Sequence, residues 1–224
     1  MEKIRLSRAI VISGAVAFVA FLVLAGLLVY EYISVPKGGT EPVSIVSVPA
    51  SWTLSDEQIK EAVQIGGSLQ PDAMASLVKN TTQYTDGEPK SELIIFTPYY
   101  AILANAQFAK TRNQDYSLAQ AREDAKKLSG AFAIHAKVYG TSDDFCKYLS
   151  AKLILSGGVV VYPIGSDVPS MAYISPSWPD YPAYEASCSW VFDASRINRN
   201  EDVLFVLTRA EGEQKAVIDL SKYK

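Results

Sequence analysis

An uncharged stretch at residues 9–30 constrains the architecture of this chain more than any other feature. Its 22 residues contain no charged side chain, and only Ser13, Gly14 and Gly26 interrupt an otherwise apolar run. At about 1.5 Å of rise per residue, a helix of this length is about 33 Å long, enough to cross a hydrocarbon core about 30 Å thick. The apolar part of a cleaved signal peptide is shorter, typically about 7–15 residues. The stretch therefore predicts an uncleaved transmembrane anchor, with a cleaved signal peptide as the alternative.

The charges on either side of this stretch predict its orientation. Lys3, Arg5 and Arg8 precede it, whereas acidic and basic residues are mixed in the segment that follows. Because an excess of Lys and Arg stays on the cytoplasmic side of a membrane, we expect residues 1–8 inside the cell and the C-terminal part outside it. The expected location is a cell membrane crossed once, with the lipid bilayer contacted through residues 9–30.

Composition excludes several classes of function. The chain has 21 Lys and Arg residues against 24 Asp and Glu residues, a net charge of −3 and a pI near 5.3. Phosphate binding requires clustered basic residues, so nucleic acid is not an expected partner. One histidine and two widely separated cysteines do not form a zinc-binding pattern. The isolated glycine doublets lack the spacing of a phosphate-binding or dinucleotide-binding loop. We therefore expect no metal and no cofactor.

Residues 43–128 are predicted to be mainly helical, because helix-start signals recur along them. Ser55 and Ser117 each open a capping box, and Thr97 precedes a proline that suits the first position of a helix. Gly66 follows the first apolar periodicity and is expected to end that helix. The sequence thus predicts one short strand at residues 93–96 and four helices at residues 55–66, 71–79, 99–111 and 117–128.

From residue 130 onward the apolar pattern alternates, which is typical of β-strands. In the first of these strands Phe132 and Ile134 share one face, whereas Ala133 and His135 share the other, which we expect to be the wetter face. Residues 156–158 supply a glycine turn between two further strands. Strands are expected at residues 132–139, 152–155, 159–164, 184–193, 203–207 and 216–220.

Together these patterns predict an α+β fold: an N-terminal transmembrane helix, then a helical segment packed on an antiparallel β-sandwich-like domain. Prolines and glycines between the anchor and the first helix are typical of a linker. The predicted organisation is a cytoplasmic tail at residues 1–8, an anchor at 9–30, a linker at 31–42, a helical part of the outer domain at 43–128 and a β-sandwich-like part at 129–224.

Candidate catalytic residues are few. His135 is the only imidazole, and the chain lacks the motifs that surround a nucleophilic serine or cysteine, so an ordinary strand histidine is favoured. Asp143 and Asp144 are candidates for a hard cation, but calcium takes about six to eight oxygen ligands. Ser142 as the cap of a short helix at residues 143–149 explains the same two acids. The sequence therefore favours a protein that is not an enzyme.

Three positions are candidates for covalent modification. Cys146 and Cys188 are both expected outside the membrane, where oxidation is permitted, and they form either a disulfide or two buried thiols. A disulfide closing a loop of about 40 residues would stabilise the fold by about 3–4 kcal/mol in the chain-entropy model. Asn80 begins an Asn-Thr-Thr sequon and is a candidate glycosylation site.

Residues 162–190 have the most unusual composition of the chain, because aromatic residues and prolines alternate there. Prolines stiffen a loop, and a stiff loop loses less entropy when it docks. Tyr173, Trp178 and Tyr181 are candidate binding residues, since aromatic side chains are enriched at interface hot spots and stack on sugars. Packing of the loop on its own sheet is the alternative. We predict that Trp190, on its strand, is buried and that Trp178 is at least partly exposed.

These observations favour an outward-facing, membrane-anchored interaction or accessory module of an envelope or membrane complex, with a protein as its partner. The outer part is acidic, because removing the three bases and one acid of residues 1–30 from the totals leaves 18 bases and 23 acids. Two alternatives remain: an outward-facing hydrolase that uses carboxylates, and a module that binds a glycan or small ligand on the aromatic loop at 162–190.

Overall fold

The computed structural model describes residues 52–68, 82–83 and 91–223. The predicted tail, membrane stretch and linker, the helix expected at residues 71–79 and the sequon at Asn80 lie outside these residues. Within the described ranges, no helix has the length and apolar content needed to cross a bilayer.

Three helices begin where the sequence predicts them. They are α1 (Asp56–Ser68), α2 (Pro98–Thr111) and α3 (Leu118–Leu128). At the start of α1, the Gln58 amide donates to Ser55 Oγ at 3.2 Å and the Ser55 amide donates to Gln58 Oε1 at 2.9 Å, which is the reciprocal pattern of a capping box. The Thr97 and Ser117 hydroxyls accept from the helix amides three residues on. The predicted caps are confirmed.

Gly66 does not end α1, contrary to the prediction. The helix continues through it to Ser68 and packs against α2 and α3. A Cβ atom on Gly66 would lie only 2.2 Å from the carbonyl oxygen of Leu103 in α2. The glycine therefore permits a close approach of two helices, a role that its position in the sequence does not reveal.

Ten strands form two antiparallel sheets in the described residues. The larger sheet has the order β1-β2-β3-β8-β6, with β7 also paired to β8, and the smaller has the order β10-β9-β4-β5. The strands are β1 (Thr82–Gln83), β2 (Glu92–Phe96), β3 (Ala131–Gly140), β4 (Ser150–Ile154), β5 (Val160–Val161), β6 (Gly165–Asp167), β7 (Tyr173–Ile174), β8 (Tyr184–Asp193), β9 (Asp202–Arg209) and β10 (Gly212–Asp219). The turn between β4 and β5 contains Gly157 and Gly158, whose φ angles of +87° and +81° suit glycine.

The two sheets enclose one core between them. Trp190 of β8 and Phe205 of β9 meet across it with ring centroids 5.8 Å apart, and residues from both sheets form a single buried cluster. The helices cover the opposite face of the larger sheet, where Ala101 of α2 packs with Phe96 and Ala133. The molecule is thus an α+β fold with antiparallel sheets, as predicted, arranged as helices on one sheet of a sandwich-like pair.

The helical layer overturns the expectation of a wet face on β3. His135 is buried, and its ring meets the Phe96 ring edge-on with centroids 5.4 Å apart. Only Lys137 and Tyr139, nearer the end of the strand, are partly exposed on that face. Alternation along a strand shows which residues share a face, but the helices that cover the face come from another part of the chain.

The segment after β3 also differs from its prediction. It forms a 3₁₀ turn at Phe145–Tyr148 instead of an α-helix over residues 143–149. The Ser142 hydroxyl donates to Asp144 Oδ1 at 2.8 Å and does not cap a helix. Asp143 and Asp144 are both exposed in this loop.

Trp52 packs at the end of the sandwich where β3 begins. It is 1% exposed and stacks on Phe132 at 5.2 Å, while the Arg199 guanidinium lies 5.4 Å from its ring. Arg199 Nη2 also donates to the carbonyl oxygen of Tyr223 at 3.1 Å. The first described segment is therefore fastened to the last one at this end, which we call the Trp52 end.

Candidate functional site

The opposite end of the sandwich carries an aromatic hairpin, which we define as residues 171–183. β7 pairs with the first residues of β8, and the loop between them is closed by Ser175. The Ser175 amide donates to Ala183 O at 2.9 Å, its hydroxyl donates to Pro182 O, and its carbonyl oxygen accepts from the Trp178 amide at 3.2 Å. Ser175 is itself buried, so these bonds are shielded from water. The backbone and side chain of Ser175 therefore close the loop by bonds within the hairpin itself.

The side chains of this hairpin face solvent. Five large apolar residues within it are between 52% and 72% exposed: Met171, Tyr173, Ile174, Trp178 and Tyr181. Trp190, a few residues further along β8, is only 1% exposed. The predicted contrast between a buried Trp190 and an exposed Trp178 is confirmed. The hairpin does not use its rings to fill the core.

A crevice of about 320 Å³ lies beside the hairpin, between Tyr181 and the turn that joins β9 to β10. Arg209, Glu211 and Gln214 line it from the side of that turn. Arg209 Nη2 donates to the carbonyl oxygen of Tyr139 at 2.6 Å, which fastens the turn to the end of β3. The wall of the crevice is therefore mixed, with one aromatic ring facing charged and amide side chains.

Several acidic residues lie at the same end of the molecule as the hairpin. Asp180 lies within it, and the loop that carries Asp143 and Asp144 is tied to its base because the Ala172 amide donates to Asp143 O at 2.6 Å. Glu211 lies across the crevice from Tyr181. Exposed apolar rings and negative charge thus share this end of the molecule.

His135 lies away from this surface and has no route to solvent as a general base. Burial lowers its pKa from 6.5 to about 4, so the ring is neutral at pH 7. Ser189, its partner across the β3–β8 pair, is buried as well. The two side chains belong to the layer between sheet and helices.

Asp56 and Glu213 are acids in ion pairs. Hydrogen bonds from Arg122 and Lys60 lower the pKa of Asp56, and a hydrogen bond from Lys152 lowers the pKa of Glu213. A carboxyl group that acts as a general acid needs a raised pKa instead. No group of three or more His, Cys, Asp or Glu side chains among the described residues has the arrangement of a metal site.

Cys146 and Cys188 are free thiols in this structure, both buried in the core between the sheets. Of the two predicted states, the structure has the unbridged one. Burial is the main cause that raises the pKa of Cys188 to about 12, and the neighbouring Cys146 is the second cause. Burial also raises the pKa of Cys146. Protonated, buried thiols are poor nucleophiles.

Sequence reasoning identified part of this surface. It placed Tyr173, Trp178 and Tyr181 together, and all three are exposed in the hairpin. It did not single out Met171 and Ile174, although both lie in the same loop and their apolar character could have included them. The sequence does not indicate the crevice, because Arg209 and Glu211 are distant from Tyr181 in the chain and approach it only in the folded structure.

No protein-family model, curated protein or solved structure matches this chain.

Proposed function

We propose that this protein is a single-pass, membrane-anchored and outward-facing interaction module of an envelope or membrane complex, and that the aromatic hairpin is its partner-binding surface. One observation carries the proposal: five large apolar side chains, each more than half exposed, lie on a loop that its own hydrogen bonds hold closed. A patch of exposed apolar side chains on a folded domain commonly marks a surface that another molecule covers.

The residue types support a protein partner. Tyrosine and tryptophan bury large areas, about 150–250 Å² each, and lose little conformational entropy when they bind. They are the residues that most often dominate the binding energy of an interface. Because the loop is already ordered by Ser175, docking would not require it to fold.

The membrane part of the proposal is supported by the sequence. The uncharged residues 9–30, with Lys3, Arg5 and Arg8 before them, fit an anchor whose C-terminal side is outside the cell. The Gly- and Pro-containing linker at 31–42 would separate the domain from the bilayer. Such an anchor would keep the hairpin at high local concentration near partners in the same membrane.

Site-specific photo-crosslinking in the native membrane tests the proposal. A photoreactive amino acid is placed at position 178 in the full-length chain and, as a matched control, at position 159. Trp178 and Val159 are 54% and 51% exposed, but Val159 follows the β4–β5 turn, at the other end of the smaller sheet from the crevice. We expect a discrete crosslinked protein at 178 and none at 159. Equal or absent crosslinking at the two positions would refute the proposal.

A ligand-binding role is the second candidate, because the crevice sets the Tyr181 ring beside Arg209, Glu211 and Gln214. Sugars are commonly held by one stacked ring and several polar groups. Trp178 fluorescence during titration with a panel of oligosaccharides checks this candidate. A saturable change that Tyr181→Ala removes would favour it over the protein partner.

A further inference from the structure

We infer that the partner of the aromatic hairpin presents a cationic, arginine- or lysine-bearing protein segment, whose charged groups stack on the exposed rings between flanking carboxylates. This inference rests on the proposed function and names the chemistry of the partner. Its physical basis is the combination of exposed aromatic side chains with three acids, Asp143, Asp144 and Asp180, that have no ion pair among the described residues.

Three exposed acids belong to the hairpin and to the loop at its base. Asp180 lies between Trp178 and Tyr181 in the hairpin itself. Asp143 and Asp144 are held at its base by the 2.6 Å hydrogen bond from the Ala172 amide to Asp143 O. Both are exposed, as is Glu211 across the crevice. These acids therefore share the end of the sandwich that carries the exposed rings.

Among the described residues, Arg209 lines the crevice and Lys147 belongs to the 141–148 loop. The Arg209 side chain is only 15% exposed, donates to Tyr139 O and lies 5.5 Å from the Phe145 ring. Its Nε lies 3.7 Å from Glu211 Oε2, an ion pair that compensates Glu211 within the domain. Lys147, the exposed base of the 141–148 loop, lies over the Tyr148 ring at 5.5 Å.

Two other bases in this region are already paired. Lys152 and Lys215 lie 2.9 Å and 3.4 Å from Glu213, the second acid that lines the crevice, so this acid is paired within the domain. By contrast, Asp143, Asp144 and Asp180 have no ion pair among the described residues. The acids of this region that lack an ion pair are therefore those of the hairpin and of the adjoining 141–148 loop.

A cationic segment satisfies both features at once. A guanidinium or ammonium group over an exposed aromatic face is attracted by about 0.5–1 kcal/mol, and more once water is excluded. Arginine suits the site best because its planar group stacks on rings and pairs with carboxylates simultaneously. An anionic lipid surface would be repelled by the same acids, which separates this partner from a membrane.

Collisional quenching of tryptophan fluorescence tests the charge at the rings. All three tryptophans are in the described residues, and because Trp52 and Trp190 are 1% exposed, Trp178 is the one that quenchers reach. In the full-length chain, we expect caesium to quench more efficiently than iodide by about twofold, relative to free tryptophan amide. The triple variant Asp143→Asn, Asp144→Asn, Asp180→Asn should remove this preference.

A matched triple variant controls for net charge. Asp115→Asn, Glu123→Gln and Asp202→Asn neutralise three exposed acids away from the hairpin, and this variant should keep the caesium preference. If the two triple variants behave alike, or if iodide quenches the unmodified chain as well as caesium does, the hairpin carries no local negative field and the inference is wrong.

Peptide titration then tests recognition. The probes are a short Gly-Ser peptide carrying arginines and its twin in which glutamates replace the arginines, each followed through Trp178 emission. We expect binding of the arginine peptide only, weakened about tenfold in the Asp143/Asp144/Asp180 triple variant and unchanged in the control variant. Equal affinity for the two peptides, or no binding of either, would overturn the inference. Crosslinking at position 178 separates the two proposals, because a crosslinked partner would persist if only the cationic chemistry is wrong.

Discussion

The buried His135 makes a prediction about stability in acid. Its pKa is lowered from 6.5 to about 4 because the ring is enclosed between β3 and the helices. Below pH 6.5 the ring is protonated in the unfolded state but stays neutral in the folded state, so unfolding takes up a proton. The contribution of His135 to the free energy of unfolding is therefore complete above pH 6.5 and decreases as the pH falls toward 4. Over this range the free energy of unfolding falls by about 3 kcal/mol because of this one group.

The window in which histidine acts alone can be isolated. His135 is the only histidine, and the carboxyl groups of an unfolded chain titrate near pH 4. Between pH 6 and pH 5 the expected loss is about 1 kcal/mol. Urea unfolding of the full chain in a nonionic detergent, followed at each pH, measures it.

The control is His135→Gln, which removes the titrating group and keeps a polar side chain of similar length. Its absolute stability is not the readout. Its free energy of unfolding should vary little between pH 6 and pH 5, whereas that of the unmodified chain falls. If the unmodified chain shows no loss in this interval, or if the glutamine variant shows the same loss, the burial-induced shift in the histidine pKa is refuted.

Three further predictions concern packing. Trp190→Ala should lower the free energy of unfolding by about 3–5 kcal/mol by emptying a core site, whereas Trp178→Ala should change it by about 0.5 kcal/mol or less; chemical denaturation of both variants distinguishes them. Gly66→Ala should cost about 1–3 kcal/mol because its Cβ would contact the Leu103 carbonyl oxygen, and a neutral result would mean that α1 and α2 separate easily. Cys146 and Cys188 should resist alkylation in the folded chain and react once urea unfolds it, which intact mass measurement follows; rapid labelling of the folded chain would contradict their burial.

The parts of the fold that were predictable depend on local signals. The caps at Ser55, Thr97 and Ser117 involve residues only three positions apart, and the structure has the expected bonds. The role of Gly66 was missed because it depends on a helix that follows much later in the chain. The burial of His135 was missed for the same reason, since a strand pattern does not say what covers its second face.

In the candidate site, too, the contacts within one loop were predictable and the contacts between distant segments were not. Trp178 and Tyr181 belong to one short loop, so their composition alone brought them together. Which side of that loop meets solvent depends on Ser175, whose bonds to Pro182 and Ala183 close the turn. Arg209 reaches the hairpin through the pairing of the smaller sheet, and no pattern in the sequence indicates this contact.

The long strands give the molecule a mechanical character. β3 and β8 pair at every position from Ala131 to Gly140, a length of about 30 Å, with the Trp52 end at one extremity and the aromatic hairpin at the other. A pull applied by a partner at the hairpin and resisted by a tether on the N-terminal side would run along these strands. Their hydrogen bonds would then carry the load together, in shear, and would not be peeled apart one by one. β7, which has only two residues paired with β8, would yield first.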